Sequence, residues 1–114
     1  MHELGIVKHV VEQVEKVAED NAVERVIKLT LEVGEVSSIV PDYFRDCFEW
    51  CKKKTKYMQD TQLELIIIEG ISYCTSCNKT YKTVEHAKIC PYCGSGETYL
   101  VTGNQMTIKD MLVE

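Results

Sequence analysis

Apolar residues recur every three to four positions at the start of the chain and every second position soon afterwards, and these two periods divide it into elements. Leu4, Val7, Val11, Val14 and Ala18 step by three and four, with Val10 and Val17 widening the stripe. Glu12, Glu15, Lys16 and Glu19 take the other side, so Leu4–Ala18 reads as an amphipathic helix that Asp20-Asn21 ends. Ile27, Leu29, Leu31 and Val33 then alternate with Lys28, Thr30 and Glu32, the pattern of a half-buried strand, and Gly34 stops it. Pro41-Asp42, after Ser37-Ser38, opens a second helix with the stripe Phe44, Cys47, Phe48 and Cys51. Its tail, Lys52-Lys53-Lys54, places positive charge where a helix C-terminus favours it. Leu63–Ile68 is a second strand, apolar enough to be expected at the centre of a sheet.

From about Ile71 to Thr98 large aliphatics thin out and four cysteines appear; Tyr99–Val113 then resumes strand-like text, broken at Gly103-Asn104. The expected fold is therefore α/β in the α+β sense, with two helices packed on a small mixed sheet and a cysteine module inserted. Residues 1–69 and 98–114 form the discontinuous main domain, and residues 70–97 the insert.

The insert reads Cys74-Thr-Ser-Cys77, twelve residues, then Cys90-Pro-Tyr-Cys93-Gly94. Two residues between thiolates let one tight turn aim both sulfurs at a point, and two such knuckles close a tetrahedron around Zn²⁺. Asn78 and Gly94, which follow the two pairs, are the residue types that most readily take the positive φ such a turn needs. A rubredoxin-type iron site and two redox CxxC pairs share parts of this pattern. A segment of this size buries too little apolar surface to fold alone, which makes the metal its source of stability, and four thiolates leave no open position for a substrate. His86, four residues before Cys90, is either an alternative ligand or a solvated loop histidine. Cys47 and Cys51 share the stripe of Phe44 and Phe48 and read as core residues, with a second metal site as the alternative; His9 reads as a surface residue.

Composition narrows the function. With 114 residues, 45% of them hydrophobic and 27% charged, the chain has the make-up of an ordinary globular domain. The net charge of −5 disfavours binding by phosphate neutralisation, and even in Ile71–Thr98 three lysines face two glutamates. No apolar run reaches the length of a membrane span and no signal-peptide pattern opens the chain, so a cytoplasmic protein is expected. No Ser/His/Asp or Cys/His arrangement with a recognisable local signature points to an enzyme.

The first residues carry a second candidate site. His2 is too large for routine removal of Met1, so a free Met1 amine, the His2 backbone nitrogen and the His2 ring Nδ1 can form two fused chelate rings. Deprotonation of the amide requires a strongly Lewis-acidic, square-planar ion such as Ni²⁺ or Cu²⁺. The Glu3 nitrogen is a possible fourth donor, because the first amides of a helix have no intrahelical partner, and its carboxylate would offset the unfavourable helix dipole. On the chemistry of these residues alone, an inert start is favoured over a metal site.

The MHE start, LEVGEVSSIVPDYFRDCFEW, the CxxC…CPYCG module and the ending GNQMTIKDMLVE together resemble the HypA/HybF family of nickel metallochaperones, in order and over essentially the whole chain. The resemblance implies delivery of nickel for maturation of [NiFe]-hydrogenase and, in some organisms, of urease. It implies a nickel site at His2 with the Met1 amine and Glu3, and structural zinc at Cys74, Cys77, Cys90 and Cys93. It also implies partners: a nickel-linked GTPase and a hydrogenase large subunit. The other function class left in view is a zinc-ribbon interaction adaptor with an inert terminus.

Overall fold

The computed structural model describes residues 3–114. The chain runs α1 (Glu3–Asp20), β1 (Val26–Gly34), α2 (Pro41–Lys52), β2 (Gln62–Ile68), β3 (Ile71–Cys74), β4 (Lys79–Lys82), α3 (Thr83–His86), β5 (Thr98–Thr102) and β6 (Met106–Val113). Pro41 sits in the first turn of α2, where its missing N–H costs nothing, and Asp42 beside it suits the positive end of the helix dipole. Two three-stranded sheets form, in the orders β2-β1-β6 and β4-β3-β5.

The first sheet is mixed. Arg25 meets Glu114 and Gly34 meets Gln105 through backbone hydrogen bonds, so β1 and β6 run antiparallel. Lys28 pairs with Glu64 at 3.3 Å, while the Glu35 amide reaches the Ile68 carbonyl at 2.8 Å, so β1 and β2 run in the same direction. Parallel neighbours need a long crossover, and α2 supplies it. β1 is the central strand and carries the buried Leu29, Leu31 and Val33 on alternate positions. The expectation that β2 would be central is corrected: it lies at an edge, and Ile67 is 49% exposed. The apolar content of a strand does not fix its place in the order, and no residue of β2 is fully buried.

The chain divides into two compact units. One comprises Met1–Leu31, Ile39–Ile66 and Thr107–Glu114. Its core holds Val7, Val10, Val11, Val14 and Ala18 of α1, Leu29 and Leu31 of β1, Phe44 and Phe48 of α2, and Met58. Leu4 and Val17 stand at the margins of the α1 stripe and remain exposed, as does His9.

The other unit comprises Glu32–Ser38 and Ile67–Met106. In it β3 pairs with β4 as an antiparallel hairpin and with β5 on its other side. β5, which alternation in Tyr99–Val113 groups with the main domain, thus belongs to the ribbon sheet. Gly34, Gly70 and Gly103 bring three backbones together in this unit: a Cβ on Gly34 would overlap the Gly103 carbonyl, and one on Gly103 would overlap Gly70. Only glycine permits that approach, and Gly103, at φ 113°, needs it for conformation as well.

Two substitutions test this packing. Phe48→Ala opens a cavity at a fully buried position and should cost about 3–5 kcal/mol in urea unfolding; a loss below ~1 kcal/mol would contradict its place in the core. Gly34→Ala forces backbone atoms apart and should cost about 1–3 kcal/mol, whereas a neutral result would show that the close approach is slack.

Candidate metal centre

Each knuckle is a tight turn closed by backbone hydrogen bonding. The Asn78 amide donates to the Cys74 carbonyl at 2.9 Å, and the Gly94 amide donates to the Cys90 carbonyl at 2.9 Å. Asn78 takes φ 60° and Gly94 takes φ 73°, the left-handed conformation expected of these two residue types. The first knuckle hangs from the end of β3. The second is braced by the Cys90 amide, which donates to the Ser95 carbonyl at 2.9 Å. Two further links tie the knuckles to each other: Ser76 Oγ lies 2.9 Å from Ser95 Oγ, and the Thr75 hydroxyl donates to the Glu97 carbonyl at 2.9 Å.

The turns bring four sulfurs together. Sγ of Cys74 lies 3.6 Å from that of Cys93, and Sγ of Cys77 lies 3.6 Å from that of Cys90. All four fall within 4.8 Å of one another. A disulfide would bring sulfurs to about 2.05 Å, so these thiols are unpaired, and all six cysteines of the chain are free. Metal–sulfur bonds of about 2.3 Å arranged tetrahedrally place neighbouring sulfurs ~3.8 Å apart. The two 3.6 Å spacings fit that solid, and the four residues together could hold one metal ion.

Its environment is graded. Cys74 and Cys90 are buried with Tyr81, Cys77 packs against them, and Cys93 faces solvent. Tyr81 floors the cluster, and its hydroxyl donates to the Ala87 carbonyl at 2.8 Å. Burial pushes the Cys77 thiol up to about 12, with hydrogen bonds from the other three cysteines adding to the effect. Burial also acts to raise Cys90, but the amides of Cys93 and Tyr92 and its sulfur neighbours outweigh it, bringing the thiol down to about 7. The Tyr92 amide lies 3.4 Å from that sulfur. The cluster as a whole therefore concentrates groups that resist ionising together unless a cation compensates them.

The four cysteines that the spacing singles out are therefore placed together. His86 lies elsewhere, its ring edge-on to Tyr81 and 3.7 Å from Glu85. Tyr81, Ser76 and Ser95 support the cluster, yet spacing gave no hint of them: a tyrosine in a short polar strand and serines beside cysteines carry no distinctive period. At the other candidate site, Glu3 opens α1 and is 1% exposed, whereas Met1 and His2 lie outside the described residues. No described helix is long and apolar enough to cross a membrane.

Comparison with known proteins places this geometry in a family. Residues 1–113 match a family model described as HypA, hydrogenase/urease nickel incorporation, metallochaperone. Proteins named hydrogenase maturation factor HypA from Geobacter metallireducens and Actinobacillus succinogenes are 36% and 32% identical over 114 residues, with 100% of both chains covered in each case. The solution structure of the Ni metallochaperone HypA from Helicobacter pylori superposes with a TM-score of 0.74, covering 99% of this chain and 97% of that one at 21% identity. A second solution structure of a HypA protein gives 0.76 over 100% and 97%, also at 21% identity. These two likenesses show a shared fold, and the family model and the relatives show the rest: the chain belongs to the HypA family of nickel metallochaperones for hydrogenase maturation.

Proposed function

We propose that this chain captures Ni²⁺ at its amino terminus and passes it on for assembly of [NiFe]-hydrogenase in the cytoplasm, with Zn²⁺ held structurally by Cys74, Cys77, Cys90 and Cys93. The observation that carries the reading is the match of residues 1–113 to a nickel-incorporation family, joined to a cysteine cluster whose closed geometry suits structure and leaves cargo binding to another site. The nickel donors on this reading are the Met1 amine, the His2 amide and ring, and the neighbourhood of Glu3. Glu3 supports it physically. It is the first residue of α1, where backbone amides lack intrahelical partners, and its carboxylate lies where the helix dipole would otherwise repel a cation.

Transfer follows from the character of such a site. A planar chelate with open faces lets an incoming ligand attack before the old ones leave, so the ion moves by exchange. The carrier performs no bond chemistry on a substrate and is not an enzyme. A nickel-linked GTPase and the hydrogenase large subunit are the partners this reading assigns. The name of the curated relatives, hydrogenase maturation factor, supports that direction of delivery.

Zinc fits the cluster by sulfur spacing and by the all-thiolate donor set, and when bound it neutralises charge that four converging thiolates could not hold alone. Elemental analysis of protein made without added metal should find one zinc per chain and no visible colour. Red protein containing iron, or a metal-free cluster, would contradict the assignment. Cys93→Ala should release the zinc and unfold the ribbon while retaining the helical signal of α1 and α2 in circular dichroism. Zinc should also be released as pH falls. Protons compete with the ion for all four sulfurs, so acid favours the metal-free thiols.

Nickel binding should depend on the terminus as a chemical group. Once intact mass has established a free Met1 amine, titration should give one Ni²⁺ per chain in addition to zinc. N-terminal acetylation and His2→Ala should each weaken it by roughly 100-fold or more with zinc unchanged, a loss of at least about 2.7 kcal/mol. Acetylated protein that binds as tightly as the free form would rule out the terminal chelate.

A further inference from the structure

Cys47 and Cys51 lie one turn apart on α2 and take no part in the four-cysteine cluster. Their burial separates them from the core stripe they share. Phe44 and Phe48 are 0% exposed, whereas Cys47 and Cys51 are 7% and 6% exposed, at the margin of the stripe. Each also borders open surface. Cys47 lines an apolar hollow with Leu4, Tyr43, Asp46 and Trp50. Cys51 lines a groove between α1 and α2, with Lys8, Glu12 and Glu15 on one wall and Trp50 and Lys54 on the other. Trp50 stands in both rims, and Lys54 lies 3.5 Å from the centre of its ring.

From this arrangement we infer that Cys47 and Cys51 form a second metal site, a two-thiolate clamp for a soft monovalent cation of the Cu⁺ class. Helix geometry sets the reach. Side chains at i and i+4 have Cβ atoms about 5–6 Å apart, too far for the ~3.8 Å of a disulfide but well placed to converge on an ion between them. Metal–sulfur bonds of about 2.3 Å on opposite sides of one ion span ~4.6 Å. A donor pair made of two thiolates selects a soft cation over Ni²⁺ or Zn²⁺, which prefer more ligands or nitrogen. On binding, each thiol gives up one proton to solvent, and the cation with its two thiolates carries one negative charge. Burial and then the neighbouring Cys47 hold the Cys51 thiol above its ordinary value, with Lys8 and Lys54 acting the other way, so the pair stays protonated until a cation compensates both sulfurs.

The test uses the full-length protein with its zinc site filled, under anaerobic conditions, with Cu⁺ competed against a chromogenic chelator. Wild type should hold one Cu⁺ per chain without losing zinc. Cys47→Ser and Cys51→Ser should each weaken this by roughly 100-fold or more, and His2→Ala should leave it unchanged. In the wild type alone, bound Cu⁺ should protect Cys47 and Cys51 from alkylation, a readout that does not depend on how the variants fold. The inference is overturned if zinc-filled wild type takes no Cu⁺, if Cu⁺ enters by expelling zinc, if both serine variants bind it normally, or if His2→Ala abolishes it.

Discussion

Four sulfurs held within 4.8 Å of one another are the constraint on which the ribbon depends. The segment has little else to fold around: its buried apolar cluster is Cys74, Tyr81 and Cys90, with Cys77 at the edge. Three of those four, Cys74, Cys77 and Cys90, belong to the sulfur cluster itself, so the packing of the ribbon and the fate of its thiols are one problem. The strands β3, β4 and β5 supply backbone pairing, and the knuckle turns supply direction. Neither would hold four ionised thiols together. The opposite directions in which the Cys77 and Cys90 thiols are pushed show the same conflict from the side of the protons. A site of this kind wants a divalent ion and has no position left to offer a substrate.

The remainder of the chain follows a different physics. There the helices α1 and α2 and the strand β1 bury valines, leucines and two phenylalanines, a core that owes nothing to metal. The division of labour makes chemical sense of a metallochaperone. A carrier must release its cargo, and a fold that depended on the cargo would lose shape at each delivery. On the proposed reading, stability comes from apolar burial and a resident ion, and the transferred ion comes and goes at a site outside both.

The sequence made some of this plain and concealed other parts. Helix α1, strand β1 and helix α2 were legible because one face of each is buried, so period and burial coincide. The knuckles were legible because Cys-x-x-Cys and the residue after it encode a turn directly, and Asn78 and Gly94 adopt the conformation their chemistry predicts. The rank of β2 in its sheet was not legible. Apolar text along Leu63–Ile68 looks the same at an edge as at a centre, and pairing order is decided by the crossover through α2. β5 escaped for a related reason, since alternation reports a strand and not its partners. The glycine approach among Gly34, Gly70 and Gly103 joins residues far apart in sequence, and no local pattern marks it. At the candidate nickel site, Glu3 is described at the start of α1 and Met1 and His2 are not, so its donor set rests on their chemistry and on the family.

The central claim is that one chain keeps two ions in two chemically distinct places, a sulfur cage for the resident and a nitrogen-rich terminus for the cargo. X-ray absorption at the zinc and nickel edges of a single sample loaded with both ions tests it most directly. The account predicts four sulfur neighbours at about 2.3 Å around zinc, and a planar shell of nitrogen or oxygen without sulfur around nickel. Sulfur in the nickel shell, or a zinc shell short of four sulfurs, would contradict it.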